Sequence, residues 1–350
     1  MRKLATVRRI AAIDPIPGAD KIVRATVDGW QLVTAIDNGF KVGDLVIYCE
    51  IDSWIPHAVA PFLSKGKEPR VFDGIAGERL RTMRMRGQIS QGLLLPLSQA
   101  FDKFEGSEYD EGQELCEFFC VGADVTDLLG IVKYEAPVPA CLAGEVKGMF
   151  PSVIPKTDQE RIQNLTTEFE VWKTEDLLWE ETEKAEGSSM TVYHYQDYVG
   201  VCSRNLDLKR NPDNSLWAAA IRLDLERLLI ETGRQLAIQG ELVGEGIQGN
   251  IYKMRGQEFF VYDIYDIDRG EYLLPDERDA FMDQWRLKHV PVLRRAVSFA
   301  GMTVADVLKS ADGQSVLGQI GCLREGLVYK CRSRNISFKA ISDLYLLGEK

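Results

Sequence analysis

The first hundred residues consist of short runs rich in Val, Ile and aromatic side chains, each cut off by turn chemistry. LATVRRIAAIDPI, IVRATVDGWQLVTAI and DLVIYCEI are separated by PGAD, DNGFKVGD and similar strings. Strands this short, at this spacing, must bury their apolar faces against one another, and they predict a small barrel or sandwich over residues 1–105.

The chain has 350 residues, for which two domains are the natural expectation. Its 45% hydrophobic and 27% charged residues suit a folded protein rather than a disordered one. No run approaches the ~18 apolar residues of a membrane span. The basic N-terminus has no apolar core, so it does not read as a secretory signal. Seven cysteines without paired spacing suit a reducing cytoplasm. Cys116 and Cys120 are the only pair at metal spacing, and His57, His194 and His289 lie too far off in sequence to complete it.

A net charge of −11 argues against nucleic acid only as a global sum. Residues 1–100 hold 14 Lys/Arg against 10 Asp/Glu, whereas residues 101–145 hold 2 against 11. Phosphate responds to the local surface. In GERLRTMRMRGQISQGLLLPL, Arg79 and Arg81 alternate with Leu80 and Thr82, and Arg84 and Arg86 with Met83 and Met85. On strands each pair would share a face and could track phosphates, although a solvated face explains the pattern as well.

The acidic stretch reads as a connector over residues 106–147, followed by a second domain over residues 148–350. SLWAAAIRLDLERLLIETG predicts one helix with Trp217, Ile221, Leu225 and Leu228 on its core face and Gly233 as the stop. DERDAFMDQWRLKH and TVADVLKSAD also read as helices. QLAIQGELVGEG, EFFVYDIYDI and REGLVYKC read as strands, which makes this part α+β with mostly antiparallel sheets.

The chemistry begins at KAEGSS. Lys184 follows an acidic, partly apolar segment and precedes Gly187 and the strand-like MTVYHY, which puts it at a strand–turn junction. A second Lys-x-x-Gly string, at Lys253, lies in a polar hairpin and lacks that frame. Downstream come SRN at 203–205, Glu241 between Gly240 and Gly244, Phe260 and Tyr262 on one strand face, Glu325 and Lys330 around LVY, and Lys339 in SFKAIS. Each fragment is weak alone, but six in this order over 156 residues are strong.

These fragments resemble motifs I, Ia, III, IIIa, IV and V of the covalent nucleotidyltransferase superfamily of RNA ligases, DNA ligases and capping enzymes. With IPGADKIVRATVDG, RLRTMRMRGQISQGLLLP and FPSVIPKTDQERIQNL, the chain is similar to ATP-dependent RNA ligases of the Deinococcus–Naegleria type. The resemblance implies an OB-like RNA-binding module followed by an ATP-grasp-like nucleotidyltransferase domain. It implies Lys184 as the nucleophile that forms lysyl-AMP, with ATP and Mg²⁺ or Mn²⁺ as cofactors and RNA with 3′-OH and 5′-phosphate ends, or a nick, as the partner.

The resemblance also implies site roles. Glu186, Glu241 and Glu325 would serve the metal, directly or through water; the family more often has Asp where Glu186 stands. Glu183, Arg204, Glu241, Lys330, Lys339, Arg161 and Lys156 would line the nucleotide, with Tyr262 stacking on the purine and Phe260 as its fallback. Many relatives carry a second lysine where this chain has Ile341. A lysine of ordinary pKa is protonated and inert, and a nearby cation would lower it. A capping enzyme or DNA ligase shares the lysine chemistry but usually carries an OB domain after motif V, and only eleven residues follow Lys339 here. A non-catalytic RNA-binding protein is disfavoured by intact Lys184, Glu241, Glu325 and Lys339. A cytoplasmic monomer is expected.

Overall fold

The computed structural model describes residues 3–104, 119–135 and 145–348. The chain divides into two compact units, Met1–Pro137 and Val138–Lys350.

In the first unit, β1 (Ala5–Pro15), β2 (Ile22–Val27), β3 (Trp30–Ala35), β4 (Leu45–Cys49) and β10 (Leu93–Pro96) form one antiparallel sheet in the order β10-β4-β1-β2-β3. A register shift between Ile10 and Ala12 lets the long β1 pair with β4 along its first half and β2 along its second. β5 (Ser53–Pro56), β6 (Arg70–Phe72), β7 (Ile75–Arg79) and β11 (Val132–Lys133) make a second sheet, and β8 (Met83–Met85) with β9 (Gln88–Ser90) a separate hairpin. The expected small β-module is therefore present, with Trp30, Leu32, Val46 and Tyr48 in one buried cluster and Val7, Ile47, Ile55 and Leu95 in another.

Two expectations change here. Residues 119–135 are not connector: Phe119, Val125, Leu129 and Ile131 are buried in the first unit's core, and Val132 pairs with Trp54. Four apolar side chains inside an acidic sequence outweigh its charge, because only they leave water. Cys116 lies outside the described residues, and Cys120 is an exposed thiol. Nor do the four arginines share one strand. Arg79 ends β7, Arg81 follows it, Arg84 is central in β8, and Arg86 and Gly87, both at positive φ, turn β8 into β9.

The second unit carries two sheets. β12 (Val146–Met149), β15 (Ser188–Tyr195), β16 (Tyr198–Cys202), β17 (Leu206–Leu208), β18 (Leu236–Gly244), β19 (Gln257–Asp266) and β20 (Glu271–Tyr272) form a seven-stranded antiparallel sheet. β13 (Glu160–Arg161), β14 (Trp179–Lys184), β21 (Val292–Val297), β22 (Gly326–Cys331) and β23 (Ser337–Ile341) form a five-stranded one, antiparallel except where β13 runs parallel to β23. Each sheet has its own apolar backing. Trp217, Leu225, Leu229 and Phe281 pack with Ile238, Val261 and Ile264 of the first, and Phe169, Phe299 and Val307 with Trp179, Tyr329 and Phe338 of the second. The predicted long helix is two, Ser215–Arg222 and Leu225–Glu231. Asp224 adopts φ 52 between them, and the rotation leaves Ile221 40% exposed rather than in the core. Among the described residues, no helix is long and apolar enough to cross a membrane.

Candidate active site

The nucleophile candidate ends a strand of unusual composition. β14 reads Trp-Glu-Glu-Thr-Glu-Lys, yet its first five residues are buried. A carboxylate leaves water only when something replaces its hydration, and each here has a partner. Glu180 meets Arg278 at 2.7 Å, with both side chains fully buried. Glu181 takes two bonds from Arg294, at 2.5 and 3.0 Å. Glu183 accepts from Ser315 Oγ at 2.5 Å and Val316 N at 2.8 Å. Alternation then turns Lys184 away from Glu183. The Glu183 carboxylate, expected at the nucleotide, instead fixes the 315–316 turn.

Lys184 Nζ donates to Glu325 Oε2 at 2.7 Å, and its charge also feels Glu241 and Arg204. Glu241 comes from β18, opposite Ser189 and Phe260 in its two neighbours. Burial alone would pull the Lys184 ammonium down; the Glu325 and Glu241 carboxylates outweigh it and the net shift is upward. Glu241 is itself pushed up to about 7, by burial and then, against the pull of Lys184, by the charge of Glu325. Two carboxylates therefore crowd one lysine. Gly187 lets the turn after Lys184 lie flat on β18, since a Cβ there would collide with the Leu242 carbonyl. The Glu186 amide donates to Tyr252 Oη at 2.7 Å, and its side chain bonds the Tyr345 hydroxyl. Among the described residues, no three His, Cys, Asp or Glu side chains converge closely enough to cage a metal. The hard oxygens and surplus negative charge at Glu241 and Glu325 fit a divalent ion held partly through water, the habit of magnesium.

Further cations act on Lys184 and Lys339. Lys339, buried in β23, pairs in register with Arg161 of β13. Its Nζ donates to Asp158 Oδ1 at 2.8 Å. Asp158 Oδ2 is 3.8 Å from the exposed Arg204 guanidinium, at the turn between β16 and β17. Burial, opposed by Asp158 and aided by Lys184 and Arg161, lowers Lys339 to about 8. Lys156 donates to Asn205 Oδ1 at 2.8 Å. Ile341 is buried opposite Gly326.

Phe260 and Tyr262 are half-buried on β19 beside Glu241. The Tyr262 hydroxyl is held by Thr157 at 2.9 Å and by Ser189, whereas Phe260 has no polar handle to fix it. The Lys330 ammonium bonds the Tyr262 carbonyl oxygen and Asp263 Oδ1 (2.5 Å), tying the two sheets together.

In the first unit, Arg79 is committed to Asp52 at 2.5 Å and to the Tyr134 ring at 4.6 Å. Arg81, Arg84 and Arg86 are exposed. Sequence reasoning missed Asp158 and Tyr252. Asp158 lies between Lys156 and Arg161, two residues already singled out, and Tyr252 adjoins the discounted Lys253; in both cases only the chain's return to the site gives the residue meaning.

The comparisons agree with this geometry. An OB-fold domain model matches residues 4–97, and the RNA ligase family model matches residues 177–341. No curated protein sequence matches the chain. Among solved structures, a Naegleria gruberi RNA ligase variant with AMP and Mn is 43% identical, with TM-score 0.86, covering 99% of this chain and 98% of that one. The same ligase with pyrophosphate gives 43%, 0.84, 99% and 98%. A glutamate-to-alanine variant with ATP and Mn gives 43%, 0.85, 99% and 98%. Identity at this level over the whole length, with a lysine set between two carboxylates at the end of β14, means that the chain belongs to the RNA ligase family, as an ATP-dependent enzyme with an OB-fold module ahead of its catalytic domain.

Proposed function

We propose that the chain seals RNA 3′-OH and 5′-phosphate ends, or nicks, through Lys184, and that the arrangement of Lys184 with Glu325, Glu241, Lys339 and Arg204 is the observation that carries this reading. Lys184 Nζ loses its proton and attacks the α-phosphorus of ATP. A P–N bond forms and the P–O bond to pyrophosphate breaks. The RNA 5′-phosphate oxygen then takes the adenylyl group from Lys184, and a 3′-OH oxygen attacks that 5′-phosphorus, expelling AMP. Lys339 and Arg161 hold the α-phosphate, and Arg204 and Lys156 reach the outer face of the nucleotide. Tyr262, its ring fixed by the hydroxyl bond to Thr157, stacks on the purine, with Phe260 as its fallback on the same strand. Glu241 and Glu325, with Glu186, would hold a divalent ion. When bound, that ion offsets phosphate charge and favours neutral Lys184.

Manganese and ATP are named with the Naegleria structures, and both are carried here to this chain. The exposed Arg81, Arg84 and Arg86 fit RNA phosphates, preferably those of a duplex near the break. Free thiols at Cys49, Cys120, Cys202, Cys322 and Cys331 fit a reducing cytoplasm. The test is sealing of matched nicked duplexes with RNA or DNA on each side of the nick, run beside transfer of labelled AMP to protein. Label transfer without sealing of any RNA-containing nick or end would remove RNA joining from the reading.

A further inference from the structure

Asp158 is an anion set among cations. Its two carboxylate oxygens face Lys339 at 2.8 Å and Arg204 at 3.8 Å. Lys184 and Arg161 lie near enough to Lys339 to disfavour its charge. Two positive side chains thus meet one carboxylate while two more act on Lys339 through their charge, and that carboxylate comes from the short segment just before β13.

That segment is anchored residue by residue. Lys156 bonds Asn205, Thr157 bonds Tyr262, Asp158 meets Lys339 and Arg204, and Gln159 lies 3.5 Å from Asp263. Four consecutive side chains reach the 203–205 turn, β19 and β23, so Asp158 is delivered by a strap with its own fixings. Of the carboxylate's two ion pairs, the one to Arg204 is the longer and more exposed. The Asp158 side chain is 26% exposed and that of Arg204 61%. An ion pair as exposed as the one to Arg204 is weak, and a phosphate offers more charge and more acceptor oxygens to the same donors.

We propose that Asp158 occupies the nucleotide-phosphate subsite as an internal anion that incoming phosphate must displace. This rests on the reading of Lys339 and Arg204 as phosphate ligands. It makes the strap a self-competitor. It keeps mutually repelling cations assembled before substrate arrives, and it weakens binding of any anion that competes poorly with a carboxylate.

The test uses the full chain and inorganic pyrophosphate as probe, titrated calorimetrically without metal at about pH 6, where Lys339 keeps its proton. Asp158→Asn, which retains the shape and removes the charge, should bind pyrophosphate roughly threefold to tenfold more tightly, the span of a partly exposed ion pair. The KM for ATP in AMP transfer should fall in the same direction. A variant that merely loosened the fold would not gain affinity, and a melting curve checks that it has not. Lys339→Ala is the control for the underlying reading and should lose pyrophosphate binding. If Lys339→Ala binds less while Asp158→Asn binds equally or more weakly than the parent, Asp158 is a supporting ligand and the proposal falls alone. If Lys339→Ala binds as the parent does, the phosphate subsite is wrongly placed and both readings fall.

Discussion

Lys184 Nζ sits 2.7 Å from Glu325 Oε2, an ion pair that favours the ammonium form of the nucleophile. The pair points Lys184 into the cleft and at the same time makes it unreactive. Glu241 reinforces both effects. Freeing the lone pair requires that positive charge arrive on the carboxylates, which is why the site reads as metal-dependent although no cage is preformed.

Lys184→Ala should abolish transfer of labelled AMP from ATP to the protein, while Lys253→Ala should leave it intact. Lys253 is exposed at φ 51 in the hairpin between β18 and β19, with none of the carboxylates around it. Label appearing on the Lys184 variant in a denaturing gel would refute the assignment.

Glu241→Ala and Glu325→Ala should each cut ligation by more than a hundredfold, roughly the loss of 3 kcal/mol of transition-state stabilisation. Circular dichroism should stay unchanged. Near-normal turnover in both variants, across a manganese titration, would remove them from metal binding.

Phosphate affinity should decline on the alkaline side. Burial lowers Lys339 to about 8, so its ammonium is present below that pH and lost above it. The KM for ATP should therefore climb as pH rises through about 8, and Lys339→Arg should abolish that climb, because a guanidinium stays protonated. Superimposable KM profiles for the two enzymes from pH 7 to 10 would count against Lys339 as the titrating group.

Arg278→Met should destabilise the catalytic unit by about 3–5 kcal/mol, the usual result of stranding a buried carboxylate. Glu180 would be left fully buried without its 2.7 Å partner. Urea unfolding gives the number, and the double variant with Glu180→Leu should recover part of it. A loss below ~1 kcal/mol would mean that the pair is not structural.

The first unit's arginines should separate into two kinds. Replacing Arg81, Arg84 and Arg86 by Gln should weaken RNA binding. Its dependence on log salt should flatten by up to roughly 0.9 for each phosphate no longer neutralised, with Lys184 adenylylation unaffected. Arg79→Gln should instead lower the melting temperature, since Arg79 is tied to Asp52 and Tyr134. An unchanged salt slope in the triple variant would return those arginines to plain surface.

The residues of the six motifs, their order and the strand–turn setting of Lys184 were all legible in the chain itself. That is because motif chemistry is local: a lysine before a glycine turn, an acid between two glycines, two rings at spacing two on a strand. Short strands cut by turn residues likewise announced the first unit, and Thr303 with Asp306 closed the helix start read at TVADVLKSAD with a capping box. Partnership was not legible. β14 carries three glutamates and looks like surface, and only the return of Arg278, Arg294 and the 315–316 turn makes it a buried strand. The acidic run after residue 105 hid four core residues, because burial depends on what packs against a side chain and not on its neighbours in sequence. Asp158 and Lys339 are 181 positions apart, and their ion pair exists only because β13 and β23 run side by side. Sequence determined which chemical groups were available and the local turns that present them. Tertiary structure alone decided which charges meet, because electrostatic and packing energies follow distance through space, and the chain's own order does not encode that distance.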